Sequence, residues 1–282
     1  MKFRSIFFVT FHGFKTSLYY RIKFNKFLMI KNKQVFVQII LFTLFILLVL
    51  ITNNLIKSYL LNSNITSYNI HLAFKTISNL ILGSISFLIA KKLDLINLGG
   101  LSKVKPQKLW LIIFPVVYLV LLNGLFLDSI PDYNNFNFII LIIYCLSIGF
   151  SEELSLRSVL LPLISNYFGN TRKSQIRAVF ISALIFGFLH LIKFDKGIYG
   201  EFSQLFFATF IGVMFGAILL VIKRVYPLII IHAIIDFVAK LDTINTPVKK
   251  SMGNAMDIES ALLIVVLTLP CFIYGIYVIK KI

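Results

Sequence analysis

From Val35 to Ile56 the chain runs 22 residues without a single charge. A bilayer's hydrocarbon core is crossed by a helix of ~20 mostly apolar residues. In that solvent a backbone must satisfy its own N–H and C=O groups, so a crossing segment is either a helix or part of a closed barrel. Further apolar runs follow at roughly 70–90, 109–127, 136–161, 177–192, 202–222, 227–239 and 258–279. They are continuous and lack the ~10-residue alternating pattern of a barrel strand. The expected fold is therefore all-α: a polytopic membrane bundle of about eight transmembrane helices. Composition agrees, with 59% hydrophobic and 14% charged residues, against ~45–50% apolar and ~25% charged in soluble domains. Neither cysteine, Cys145 or Cys271, belongs to a disulfide framework, since both sit inside apolar runs.

The net charge of +17 would suggest a nucleic-acid partner in a soluble protein. Here its distribution gives a topology and no nucleic-acid partner is expected. Residues 1–34 and the alternate loops carry 20 Lys and Arg against the single acid Asp94, including Lys91, Lys92, Arg172, Lys173, Lys223, Arg224, Lys280 and Lys281. The opposite loops hold six basic residues and most of the loop acids. By the positive-inside rule both termini are cytoplasmic, which requires an even number of spans. The chain then divides into a basic, aromatic segment, 1–34, and one transmembrane domain, 35–282. In the first segment Phe7, Phe8, Phe11, Phe14, Tyr19, Tyr20, Phe24 and Phe27 stand among eight basic residues. That composition fits a helix on the anionic inner leaflet, and equally a basic tail that only sets topology. The high Ile, Lys, Asn and Phe content points to a bacterial plasma membrane.

Ionisable side chains inside spans are expensive and mark function by default. Three groups stand out: Glu152-Glu153 with Arg157, Phe186 with His190, and His232 with Asp236. Glu153 and Arg157 are four apart and share a helix face, whereas Glu152 is turned ~100° away. One carboxylate is thus expected to pair with Arg157 while its neighbour points elsewhere. His232 and Asp236 also stand four apart. The turn between the fourth and fifth runs falls near residue 171, so Glu152 and His190 come to the same depth of an antiparallel hairpin. One cavity can then hold both. Gly212-Val213-Met214-Phe215-Gly216 has the small-xxx-small form of close helix packing. Pro115, Pro162, Pro227 and Pro270 are expected to kink or end helices.

In order and placement these three groups resemble the signature of the CAAX protease and bacteriocin-processing family of intramembrane endopeptidases, also called the abortive-infection family. The pattern there is Glu-Glu-x-x-x-Arg, then Phe-x-x-x-His, then His-x-x-x-Asn or Asp, and the likeness covers residues 152–236, within a core at about 136–240. This chain departs from it in Leu156-Arg157-Ser158, where Phe-Arg-Gly is commoner, and in Asp236, where Asn is commoner. The resemblance implies an endopeptidase acting on peptides or membrane-anchored proteins, with no cofactor and no metal. It makes Glu152 the general base for a water that His190 helps to hold, Glu153 the partner of Arg157, and Phe186 a site-orienting residue. His232 and Asp236 would stand by the substrate carbonyl and its oxyanion. Some members of the family serve peptide maturation or bacteriocin self-immunity.

Other readings remain open on the residues alone. Glu152, His190 and His232 have the composition of a catalytic zinc set, although the His-Glu-x-x-His helix is missing. A coupled transporter would also bury carboxylates and His, but would more often show two repeated halves. A proteolytically silent scaffold or immunity protein would keep the motifs without the chemistry. The topology has a direct check. Reporter fusions at residues 62, 132, 198 and 250 are expected to read as external, and fusions at 100, 172 and the C-terminus as cytoplasmic. The reverse readings at 100 and 132 would refute the arrangement.

Overall fold

A computed structural model describes residues 4–192, 196–249 and 255–282, with side chains from Asn32 onward. Its helices are α1 (Arg4–Asn62), α2 (Tyr68–Lys92), α3 (Ile113–Leu125), α4 (Asn135–Glu152), α5 (Leu161–Tyr167), α6 (Arg172–His190), α7 (Gly197–Ile222), α8 (Tyr226–Val238) and α9 (Ile258–Ile279). A π-helical segment, Glu153–Leu160, joins α4 to α5, so these three form one rod. There are no strands among the described residues. The protein is a polytopic helical membrane protein. Five stretches are long and apolar enough to cross a bilayer: Asn32–Asn62, Tyr68–Lys92, Asn135–Tyr167, Gly197–Ile222 and Ile258–Ile279. Leu109–Leu125 and Tyr226–Val238 are apolar but shorter, and α6 completes the set of eight rods. The aromatic positions from Phe7 to Phe27, expected on the inner leaflet, lie outside the described side chains.

Helix ends follow local capping chemistry and differ from the apolar runs by several residues. Asn134 and Asn137 cap α4 reciprocally. The Thr171 hydroxyl accepts from Ser174 N–H, which starts α6 at Arg172, five residues before the apolar run begins. Asp257 caps α9, and the Ser260 backbone N–H, then its hydroxyl, hold the Asp257 carboxyl below its usual range. Pro115 and Pro227 lie in first turns, where a missing N–H is no loss, so they open helices where the sequence led us to expect a kink or an end. Pro162 comes just after the π segment, inside the continuous rod. Pro270 lies inside α9.

The buried axis of the bundle is α7, packed between α6 and α9. In its most apolar window 78% of residues are buried, against 11% for α1. Gly212 lets α6 approach so closely that an added Cβ would lie 2.9 Å from Ala183 Cβ. The packing role expected of Gly212 and Gly216 is the one observed. On the other flank, α4 packs against α2 and α8. At Gly149 a Cβ would meet the Ile229 carbonyl oxygen at 2.4 Å, so glycine there sets the separation of α4 and α8.

The connection after α2 is more than a loop that sets topology. Ser158 Oγ donates to the Gly99 carbonyl at 2.7 Å, and Val225 N–H donates to the Gly100 carbonyl at 3.0 Å. The Arg224 guanidinium donates to the Ser102 and Val104 carbonyls. This strap ties the π segment to the turn between α7 and α8. It therefore fixes the height of α8 against the rod that carries Glu152 and Glu153.

Candidate active site

The π segment begins between the two glutamates, with Glu152 the last residue of α4 and Glu153 the first of the widened turn. Such i→i+5 turns interrupt α-helices most often at functional sites. Glu153 is fully buried, and its Oε2 lies 3.2 Å from Arg157 Nε. The contact lies off the hydrogen-bond direction. Arg157 Nη1 and Nη2 find no hydrogen-bond acceptor among the described residues. Aromatic faces compensate in part: the guanidinium carbon lies 5.3 Å from the Phe186 ring centroid and 5.6 Å from that of Phe215. A cation held over a ring contributes about 0.5–2 kcal/mol, most when water is excluded.

Glu152 faces the other way. Its side chain is 30% exposed and lines an open cavity of about 590 Å³, space at the mouth included. His190 lines the same cavity from the end of α6, as the hairpin arithmetic requires. The rest of the wall includes Ser151 and Ser155, Asn53 from α1 and Asn79 from α2. His190 Nδ1 lies 2.9 Å from the Phe186 carbonyl oxygen. A carbonyl can only accept, so Nδ1 carries a proton in this contact. Phe186 thereby supports both halves of the site: its ring covers Arg157 and meets His190 edge-on at 4.5 Å, while its carbonyl accepts from the imidazole Nδ1.

His232 reaches the glutamates from α8. Its Nδ1 is 2.8 Å from Glu153 Oε1 and its Nε2 is 3.5 Å from Glu152 Oε2. The imidazole bridges the two carboxylates, and the Phe215 ring meets it at 5.9 Å. Asp236 stands one turn on, with Oδ2 3.3 Å from Lys240 Nζ. Neither His232 nor Asp236 is among the residues that line the cavity. Thus Glu152, Glu153, Arg157, Phe186, His190 and His232 form one connected constellation, and Asp236 joins it at the edge through its own helix. Among the described residues no three His, Cys, Asp or Glu side chains are arranged to hold a metal ion.

The sequence reading passed over Asn53, Asn79, Ser151 and Ser155, because it searched the spans for carboxylates and imidazoles only. The two asparagines are amides within spans, Asn53 between Thr52 and Asn54 and Asn79 just after Ser78, so neither stands out from its polar neighbours.

Residues 134–238 match the family described as type II CAAX prenyl endopeptidase Rce1-like. The match covers less than half of the chain. The matched segment spans α4 through α8 and contains every member of the constellation, while α1, α2, α3 and α9 lie outside it. This likeness supports an intramembrane protease. No curated protein and no solved structure matches the chain.

The buried pair of Glu153 and Arg157 has a measurable consequence. Removing one partner of a buried ion pair leaves an uncompensated charge and costs about 3–5 kcal/mol, while replacing both by apolar groups is often much milder. Glu153→Leu and Arg157→Met are each expected to lower the melting temperature in detergent sharply, and the double substitution by less than the sum. Additive losses would show that the two side chains are stabilised independently.

Proposed function

We propose that this Rce1-like protein is a glutamate-type intramembrane endopeptidase that cuts peptides or membrane-anchored proteins. The reading is carried by one contrast. Of two adjacent carboxylates, Glu153 is withdrawn to Arg157 and fully buried, while Glu152 opens onto a cavity that it shares with His190. A paired carboxylate is a fixture, and an open one beside an imidazole can move a proton.

In this mechanism the Nε2 of His190 accepts a hydrogen bond from a water in the cavity, and Glu152 removes the water's other proton as its oxygen attacks the scissile carbonyl. Glu152 then returns the proton to the departing amine. His232 is a positioning residue: its contacts with both glutamates hold Glu152 at a fixed angle to Glu153. Asp236, paired with Lys240, positions the C-terminal turn of α8. This replaces the oxyanion contact that the resemblance suggests for His232 and Asp236. The cytoplasmic placement of both termini follows from the charge distribution. Peptide maturation or bacteriocin self-immunity is the setting that fits a bacterial membrane.

Cleavage of quenched fluorogenic CAAX-type peptides, with and without a farnesyl group, tests the mechanism. Glu152→Gln and His190→Ala are expected to lose roughly 10²–10⁴-fold in kcat, the usual contribution of general acid–base groups, with the melting temperature unchanged. Activity is expected to survive exhaustive chelation. Activity restored only by Zn²⁺ would replace the glutamate mechanism with a metal one. Asp236→Asn and Asp236→Ala are expected to lower activity together and only several-fold. If Asn is active and Ala loses roughly 10²–10³-fold, Asp236 occupies the place of an oxyanion donor.

A further inference from the structure

Asn53 and Asn79 are unexplained by the catalytic constellation. Both sit within membrane-crossing helices, both are partly buried, and both line the cavity that holds Glu152 and His190. They come from α1 and α2, outside residues 134–238, so the family signature assigns them nothing. An amide facing hydrocarbon without partners loses several kcal/mol of hydration. Their position is therefore a feature that the packing of two apolar helices does not require.

The hydrogen bonds around Asn79 fix which way its amide faces. Ser147 Oγ donates to the Tyr144 carbonyl at 2.7 Å, so its single proton is spent. It can then only accept from Asn79, whose Nδ2 lies 3.1 Å away. That orientation leaves Asn79 Oδ1 as an acceptor with no partner among the described residues. The Asn53 amide has neither a donor nor an acceptor partner among them. The cavity that holds Glu152 and His190 thus also offers one oriented acceptor and one complete amide, which can donate and accept.

A peptide bond must meet this chemistry before it can be cut. A segment entering the cavity has to leave helical hydrogen bonding to expose its carbonyl, and its freed N–H and C=O groups have no water in the hydrocarbon core. Leaving them unmatched would oppose binding by the desolvation cost of each group. We infer that Asn53 and Asn79 are backbone-binding residues that hold an extended, locally unwound stretch of substrate across the cavity, with Asn79 Oδ1 accepting one substrate backbone N–H. Recognition of this kind reads the main chain, so the substrate class is a polypeptide unwound at the cut, with little demand on the side chains that face these two residues.

The inference rests on the proteolytic reading, and the test separates the two. Full-length protein in nanodiscs is given the fluorogenic CAAX-type peptides, farnesylated and not, and mass spectrometry locates the bond cut. A second series replaces single backbone N–H groups within three residues of that bond by ester oxygens. For wild type, one ester peptide is expected to show kcat/KM roughly ten-fold below its amide parent, the size of a lost hydrogen bond in a dry site. In Asn79→Ala that penalty is expected to vanish, because the acceptor is already gone. Asn53→Ala breaks no described contact within the protein and is expected to lower kcat/KM on all-amide peptides several-fold. A merely structural role would slow amide and ester peptides alike and leave the penalty intact. Amide cleavage at wild-type rate by Asn53→Ala, or an ester penalty unchanged in Asn79→Ala, would overturn the inference and leave the protease reading standing. Absence of cleavage of every peptide by wild type would overturn both.

Discussion

A full positive charge buried inside a membrane bundle is the constraint that the rest of this protein answers. Arg157 is 3% exposed at mid-rod, where an ionisable group is tolerated only with partners. Glu153 supplies the counter-charge, Phe186 and Phe215 supply ring faces, and His232 ties the second oxygen of Glu153 to a neighbouring helix. Each partner dictates something larger. Phe186 requires α6 to lie against the π segment. Phe215 requires α7 to run through the centre. His232 requires α8 to approach α4 closely, which Gly149 permits. The ion pair is therefore less a source of stability than a specification of how four helices meet.

Glu152 inherits its chemistry from that arrangement. Two adjacent carboxylates in one site would repel if both were left to the same environment. The fold divides them by solvent: one faces a guanidinium in the dry core, the other a cavity. His190 completes the division, since its Nδ1 is committed to the Phe186 carbonyl and its second nitrogen is directed away from that bond. Phe186 thus couples the buried ion pair to the cavity wall through a single residue, its ring serving Arg157 and its backbone serving His190.

Much of this was legible in the sequence because lipid makes polar residues conspicuous. The helical class, the Glu153–Arg157 pair and the common depth of Glu152 and His190 all followed from apolar run length and helical spacing. Helix ends were less legible, since capping by Thr171 and Asn134 extends helices beyond the apolar runs that spacing detects. The π turn left no mark in the pattern, because a single widened turn conserves apolar content. His232 stood out as an ionisable group within a span, yet its bridge to both glutamates depends on the approach at Gly149 and on the strap from Gly99 to Ser158. Those are long-range contacts, and no periodicity encodes them.

The shortness of α8 concerns the membrane as well as the site. Its outer stripe of Tyr226, Ile230 and Ile234 is exposed, and Arg224 and Lys240 bound it. Those two charges stand 16 residues apart, about 24 Å along a helix rising 1.5 Å per residue. An unperturbed hydrocarbon core is about 30 Å thick, so this helix alone falls short of it. Such a mismatch is met by thinner lipid, by flanking side chains that reach outward, or by neighbouring helices. Lipid chain length then bears on the helix that holds His232: short-chain bilayers relieve the mismatch, and long-chain ones enlarge it.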